Sequence, residues 1–367
     1  MERIPWCQPS FSGREHDYVK DALQSTWISG GPYVDRLEAE VSALLGVSNA
    51  FACSNGTAAL ELAYLCLDLP RGSEVIIPAF GYLAAANAAV RHGLRVRFAD
   101  VELDSWCIDP DSVRAMMTPS VSAVVAIDTY GSVCSFSKLR KICKDYDVPL
   151  IEDAAEAFGS SLDGEFAGSI GDLGTLSFQA TKTIACGEGG MVLTRDNQYV
   201  EKIGLYRSHG MSETKYFHLV PGGNFRLSNL QAAVACAQLE ALDEVRAERE
   251  RVSSRYQQNL GTFCGVVMQR DNQGVRQLPW AVAVRLIPDY FPQGRDALID
   301  QLDRAGIETR PGFYPASVHP YLNAAPLPVA ESVAKDIVVL PTFPDLSDRA
   351  IDYITEKLIA LSETRST

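Results

Sequence analysis

The chain has 367 residues, 47% hydrophobic and 22% charged, with a formal net charge of −13 at pH 7. That length accommodates two domains of ordinary size, and the balance of residue types excludes a disordered or fibrous protein. The negative charge argues against general binding to nucleic acid or an anionic membrane, while a local basic pocket stays compatible with it. No apolar run approaches the length of a membrane span, and Met1-Glu2-Arg3-Ile4-Pro5 lacks the basic-then-apolar layout of a signal peptide, so the expected address is the cytoplasm. Nine cysteines are scattered without a Cys-x-x-Cys pair, which favours reduced thiols over a disulfide framework or a zinc site, and no metal is expected.

In chain order, Gly13–Gln24 and Tyr33–Leu45 read as helices, joined by a turn-rich connection that carries Trp27. From about Asn49 to Thr194, short β-rich runs alternate with amphipathic stretches. The expected strands are Ala50–Cys53, Glu74–Pro78, Arg95–Ala99, Ser122–Ile127, Val148–Glu152, Thr175–Phe178 and Gly190–Thr194, with helices at Thr57–Asp68, Ala84–His92 and Ser137–Tyr146. This layout predicts an α/β fold with a mostly parallel sheet covered on both faces, whose ligands gather at the carboxyl ends of the strands. Asn229–Leu260 has the periodicity of one long helix or a bent pair. The remainder, with strand residues around Trp280–Leu286 and helices near Gly294–Ala305 and Asp348–Leu361, reads as a smaller α+β domain. The expected division is a large domain over 1–245 and a small one over 246–367.

Three segments at expected strand ends suit pyridoxal-phosphate chemistry. Ser54-Asn55-Gly56-Thr57-Ala58 lets backbone N–H groups and a helix N-terminus meet a phosphate, though alone it is also an ordinary strand-to-helix turn. Ile151-Glu152-Asp153 ends an apolar strand in two acids. Asp153 is the candidate partner for the pyridine nitrogen, with Glu152 on the opposite face of the strand; the alternative is that Asp153 caps the next helix. Lys182 follows a buried-type strand and precedes Gly187-Glu188-Gly189-Gly190, which places an amine at the mouth of the sheet, where desolvation would lower its pKa; in isolation it reads equally as an exposed loop lysine. Cys186, nearby, reads as a packing residue before a reactive one.

Together with Arg207-Ser208-His209-Gly210, Gly223-Asn224-Phe225-Arg226-Leu227-Ser228 and Leu340-Pro341, these blocks resemble the DegT/DnrJ/EryC1/StrS sugar aminotransferases, within the aspartate-aminotransferase-like fold (fold type I), over nearly the whole chain. The resemblance implies that Lys182 holds pyridoxal 5'-phosphate and shuttles protons, and that Asp153 faces the ring nitrogen. It further implies that Gly56, Thr57 and Ser177 bind the phosphate and that Tyr82 stacks on the ring. Asn224 reaches the cofactor of a neighbouring subunit, so that a homodimer shares its active sites. Gly81 stands where the family usually has threonine, and Glu156, near the ring hydroxyl, where glutamine is frequent. Related dehydratases carry histidine in place of Lys182.

Local similarity is greatest to perosamine synthase-like C4 aminotransferases, which implies glutamate as donor and a nucleotide-linked 4-keto-6-deoxy sugar as acceptor. By that analogy Trp27, Arg310, Tyr314 and His319 line the sugar-nucleotide pocket, with Arg310 suited to a diphosphate. Alternatives are a 3-keto sugar nucleotide or a cyclitol ketone and, in another class, a non-catalytic cofactor-bound regulator. The last is disfavoured by the acidic composition and the lack of a basic stripe.

Overall fold

The computed structural model describes residues 3–362, so the outermost residues of both expected domains, 1–2 and 363–367, lie outside the described residues. Runs such as Val121–Ile127, rich in β-branched residues and buried along nearly their whole length, pack as strands because both faces of the sheet are covered. The chain forms β1 (Asn49–Cys53), β2 (Glu74–Pro78), β3 (Arg95–Ala99), β4 (Val121–Ile127) and β5 (Leu150–Asp153). A small hairpin follows, β6 (Ser161–Leu162) and β7 (Glu165–Phe166), and then β8 (Leu173–Ser177) and β9 (Gly190–Thr194). Without the hairpin these make a seven-stranded sheet in the order β1-β9-β8-β5-β4-β2-β3, in which β9 alone runs against the rest. The expected strand Val148–Glu152 is shifted toward its end, so Asp153 is itself the last strand residue.

Helices α1 (Arg14–Ser25) and α2 (Pro32–Leu45) precede the sheet; α3 (Gly56–Leu67), α4 (Ala84–Arg91), α5 (Pro110–Met116), α6 (Phe136–Tyr146) and α7 (Val200–Arg207) are threaded through it. Strand alternation sorts the residues of β4 between two cores. Val124 and Ala126 pack with Leu37 and Val41 of α2 and Leu139 of α6. Val125 and Ile127 pack with Leu60 and Leu62 of α3, with α4, and with Trp280 and Ala316 from the end of the chain. The stretch 229–260 is the bent pair: α8 (Asn229–Glu240), opened by a capping box of Ser228 and Gln231, stops at Ala241, and α9 (Leu242–Leu260) continues in a new direction.

Beyond α9, β10 (Val266–Met268), β11 (Val275–Arg276), β12 (Ala283–Leu286), α10 (Gly294–Arg304), β13 (Arg310–Pro311), α11 (Pro328–Asp336), β14 (Ile337–Val339) and α12 (Asp348–Ala360) follow. Strands β10, β12, β14 and β13 form an antiparallel sheet, while β11 joins the β6–β7 hairpin. A third core unites Val252 and Tyr256 of α9 with α10, α12 and Ile4. Ile4 belongs to it because its backbone N–H donates to Gly306 O (2.8 Å) and its carbonyl accepts from Glu308 N (2.9 Å). No described helix is long and apolar enough to cross a membrane.

The start of α3 is pressed onto the sheet at glycine. Gly190 pairs with Cys53, and a Cβ there would lie 2.5 Å from the Asn55 carbonyl carbon and oxygen. Gly190→Ala should therefore displace the α3 N-terminus and cost about 1–3 kcal/mol, the usual cost of overpacking. Urea denaturation against the parent protein measures it.

Candidate active site

The carboxyl ends of β1, β5 and β8 lie at one edge of the sheet and deliver Ser54–Thr57, Asp153 and Ser177 to the same place. Because β9 is antiparallel to β8, the residues between them form a closed hairpin. Phe178 N–H donates to Gly189 O (2.8 Å), Ala180 N–H to Gly187 O (3.0 Å) and Lys182 N–H to Gln179 O (2.8 Å). Lys182 is thus fixed on a braced loop, with only 13% of its side chain exposed.

Lys182 Nζ lies 3.7 Å from Glu156 Oε1 and 3.8 Å from the centre of the Trp280 ring. Burial pushes the pKa of the amine down, and Glu156 and then Asp153 oppose that fall. Burial also pushes Asp153 and Glu156 up, against the charge of Lys182 and the backbone N–H groups of Ala155 and Tyr130. Asp153 accepts from Ala155 N (3.2 Å) and Thr175 Oγ1 (3.4 Å); Glu156 Oε2 accepts from Tyr130 N (2.9 Å). Glu152 projects from the opposite face of β5 and is held by Gly168 N (2.6 Å), Ile170 N (2.7 Å) and Gly171 N (2.9 Å).

At α3, Asn55 Oδ1 takes Ala58 N–H and the Asn55 carbonyl takes Ala59 N–H, which leaves the N–H groups of Gly56 and Thr57 without an acceptor among the described residues. A Cβ on Gly56 would lie 2.9 Å from Ser177 Cβ, so glycine is what lets the helix start close over that hydroxyl. Free N–H groups at a helix N-terminus beside a hydroxyl make an anion cradle. Across from it, two buried carboxylates face one amine, a deficit of positive charge that a protonated pyridine would fill. The residues present fit pyridoxal phosphate.

An aromatic cluster extends from the ring that covers the amine. Trp280 donates Nε1–H to Thr181 O (2.8 Å), meets Trp6 edge-on at 5.8 Å and stacks on Tyr130 at 6.3 Å; Tyr130 stacks in turn on Phe313 at 5.1 Å. The sequence reading missed Trp280, Tyr130 and Phe313 as site residues. Asp128-Thr129-Tyr130-Gly131 follows the expected strand 122–127, and a search of every strand end would have found it.

Other anticipated residues are distributed unevenly. Tyr82 is exposed with its ring 6.1 Å from Phe313, and Ala316 N–H donates to Ala79 O (2.9 Å), so the segment 313–316 is docked against the Tyr82 loop. Arg310 is paired with Glu308 Oε1 (2.5 Å) and lies 5.6 Å from the Trp6 ring centre; Arg295 lies 5.5 Å from that of Tyr314. His319 Nε2 is buried without a partner among the described residues, and its ring is 6.3 Å from Tyr321. Trp27 is 62% exposed, tied through its carbonyl to Asn229 Nδ2 (2.7 Å). Asn224 is exposed on the segment after α7, its Oδ1 accepting from Arg226 Nε (3.3 Å). Neither Trp27 nor Asn224 contacts Lys182 or Asp153 within the chain. Cys186 is buried, its thiol pushed up to about 12, as a packing residue would be.

The DegT/DnrJ/EryC1/StrS aminotransferase family model matches residues 9–359. The chain belongs to this family. It is 35% identical over 365 residues to the GDP-perosamine synthase of Caulobacter vibrioides, covering 98% of each protein. EpsN of Bacillus subtilis, whose name includes pyridoxal phosphate dependence, is 30% identical and covers 99% of this chain and 97% of its own. Among solved structures, DesI in the presence of its TDP-sugar product superposes with a TM-score of 0.91 at 31% identity, covering 98% of this chain and 93% of the other. The chain is therefore an aminotransferase that uses pyridoxal phosphate, on an aspartate-aminotransferase-like fold.

Glu156 is the main group that supports the charge of Lys182 against burial. Glu156→Gln should accordingly move the titration of the amine to lower pH. The pH dependence of trinitrophenylation of Lys182 in cofactor-free protein, followed by mass spectrometry, reads the shift.

Proposed function

We propose that the protein transfers the amino group of glutamate to a nucleotide-linked 4-keto-6-deoxy sugar, as a homodimer with shared active sites. The observation that carries this reading is a buried amine between Glu156 and the Trp280 ring at the strand ends, in a chain that matches a GDP-perosamine synthase from end to end.

When bound, pyridoxal phosphate supplies an electron-withdrawing ring that stabilises negative charge beside the reacting amine. Lys182 would hold it covalently and, once released, take a proton at Nζ from the donor's α-carbon and return it. Asp153, buried at the end of β5, would keep the ring nitrogen protonated. The open N–H groups of Gly56 and Thr57, with Ser177 Oγ, would hold the phosphate, and Tyr82 would cover the ring. Glu156 lies where it can orient both the amine and the ring hydroxyl. The exposed Asn224 suits a reach into the partner subunit. Tyr314, on the segment docked beside Tyr82, Arg310 and His319, which flank that segment, and Trp27, from the loop after α1, would meet the nucleotide sugar. Arg310 would exchange Glu308 for a diphosphate.

Purified protein given glutamate and GDP-4-keto-6-deoxymannose or dTDP-4-keto-6-deoxyglucose should yield a 4-amino sugar, its position read by NMR; a 3-amino product or an aminated cyclitol would move the assignment to those substrates. Lys182→Ala should lower turnover by on the order of 10²–10⁴-fold or more, the usual contribution of a positioned proton-transfer group, and abolish borohydride trapping of the cofactor. Mixing Lys182→Ala with Asn224→Ala protein after subunit exchange should restore activity that neither variant has alone. Failure of that mixture to recover would remove Asn224 from the partner's site.

A further inference from the structure

The acid pair behind the active site lies outside the roles assigned above. Asp128 follows the last residue of β4 and is fully buried. Its backbone N–H donates to Asp153 O (3.0 Å), continuing the β4–β5 ladder in which Ala126 pairs with Glu152 and Ile127 with Asp153. Alternation therefore puts the Asp128 side chain on the face of Ala126 and Glu152, opposite that of Asp153. Asp128 Oδ1 accepts from Cys134 N (3.0 Å), while Oδ2 is buried with no N–H or O–H group to accept from among the described residues.

Glu152, by contrast, receives backbone N–H groups from Gly168, Ile170 and Gly171 on its two oxygens. Burial pushes Glu152 up as well, but its three N–H groups and a bond from Asp128 oppose that and favour its anion, whereas an acid oxygen with nothing to accept is stable only when it carries the proton itself. Besides Glu152, the titratable groups that act most strongly on Asp128 among the described residues are the thiols of Cys107 and Cys134, neither of them a cation. We propose that Asp128 is held as the neutral acid, donates its proton through Oδ2 to the Glu152 carboxylate, and by this bond positions the turn 128–134 for the active site.

That turn has work to do. Tyr130 sits in it at φ 57°, ψ 14°, a left-handed conformation unfavourable for a residue of this size. It donates its N–H to Glu156, and its ring stacks on Trp280 and Phe313. The Asp128 proton thus acts on Lys182 through Tyr130, Glu156 and Trp280, which makes Asp128 a positioning residue. Burial and the charge of Glu152 both push the Asp128 pKa up. A group raised on folding adds stability that is complete below its unfolded value, about 3.9, and is lost as pH rises toward the folded value.

Asn at this position keeps an acceptor for Cys134 N–H and a donor for Glu152, and it carries no titrating proton. Infrared spectra of the holoenzyme at neutral pH should show a protonated-carboxyl C=O stretch that Asp128→Asn removes. In urea unfolding at matched cofactor and protein concentration, Asp128→Asn should gain on the wild type by about tenfold in the equilibrium constant per pH unit upward from about pH 5, the slope for one proton. Asp128→Leu, which can neither donate nor accept, should lose retained cofactor absorbance at every pH, whereas Asp128→Asn should keep it. An infrared band that persists in Asp128→Asn, or parallel pH curves for the two proteins, would overturn the assignment.

Discussion

Everything distinctive about this protein depends on keeping one amine out of water beside two acids. A lysine with only 13% of its side chain exposed is costly to charge, and here the cost is offset by Glu156, by Asp153 and by the face of Trp280. None of these partners is local to it in sequence. They arrive from β5, from the turn after β5 and from the stretch before β12, so the arrangement exists only once the central sheet and the terminal part of the chain are packed together.

The topology explains how such a site is held steady. A parallel strand is normally followed by a long crossover, but β8 and β9 are antiparallel, so the lysine sits in a hairpin with its own hydrogen bonds. Glycine at 56 and 190 lets α3 begin almost in contact with Ser177 and β9. The open N–H groups at the start of α3, the Ser177 hydroxyl and the amine are thereby set by neighbouring strands of one sheet, and their spacing follows from strand geometry.

Much of this was legible in the sequence. The bounds of β2, β3 and β9 could be read without error because each is a short β-rich run closed by turn residues, and Lys182 and Asp153 stood out because charged residues rarely follow such runs. What could not be read has a physical cause. Trp280 reaches the amine through tertiary packing from about 100 positions away along the chain, with Phe313 two rings further out through Tyr130, and an aromatic residue in an apolar stretch looks like core whichever neighbour it meets. Asp128 escaped notice because its character lies in what surrounds it, a buried oxygen lacking a donor, which sequence spacing does not express. Asn229–Leu260 left two readings open because no glycine or proline marks the break, which falls at Ala241, where the backbone leaves helical geometry.

The pairing of Ile4 with Gly306 and Glu308 makes two widely separated segments of the polypeptide structurally interdependent. During synthesis Ile4 is made long before its backbone partners at 306 and 308, so it must wait, unpaired, while the central sheet assembles. Such long-range closure slows folding, and it couples completion of the distal core to the settling of Trp6 beside Trp280. Lys182 would therefore gain its finished surroundings only after the segment that carries Trp280 and the backbone partners of Ile4 has been made, which keeps a desolvated amine from being assembled in a partial chain.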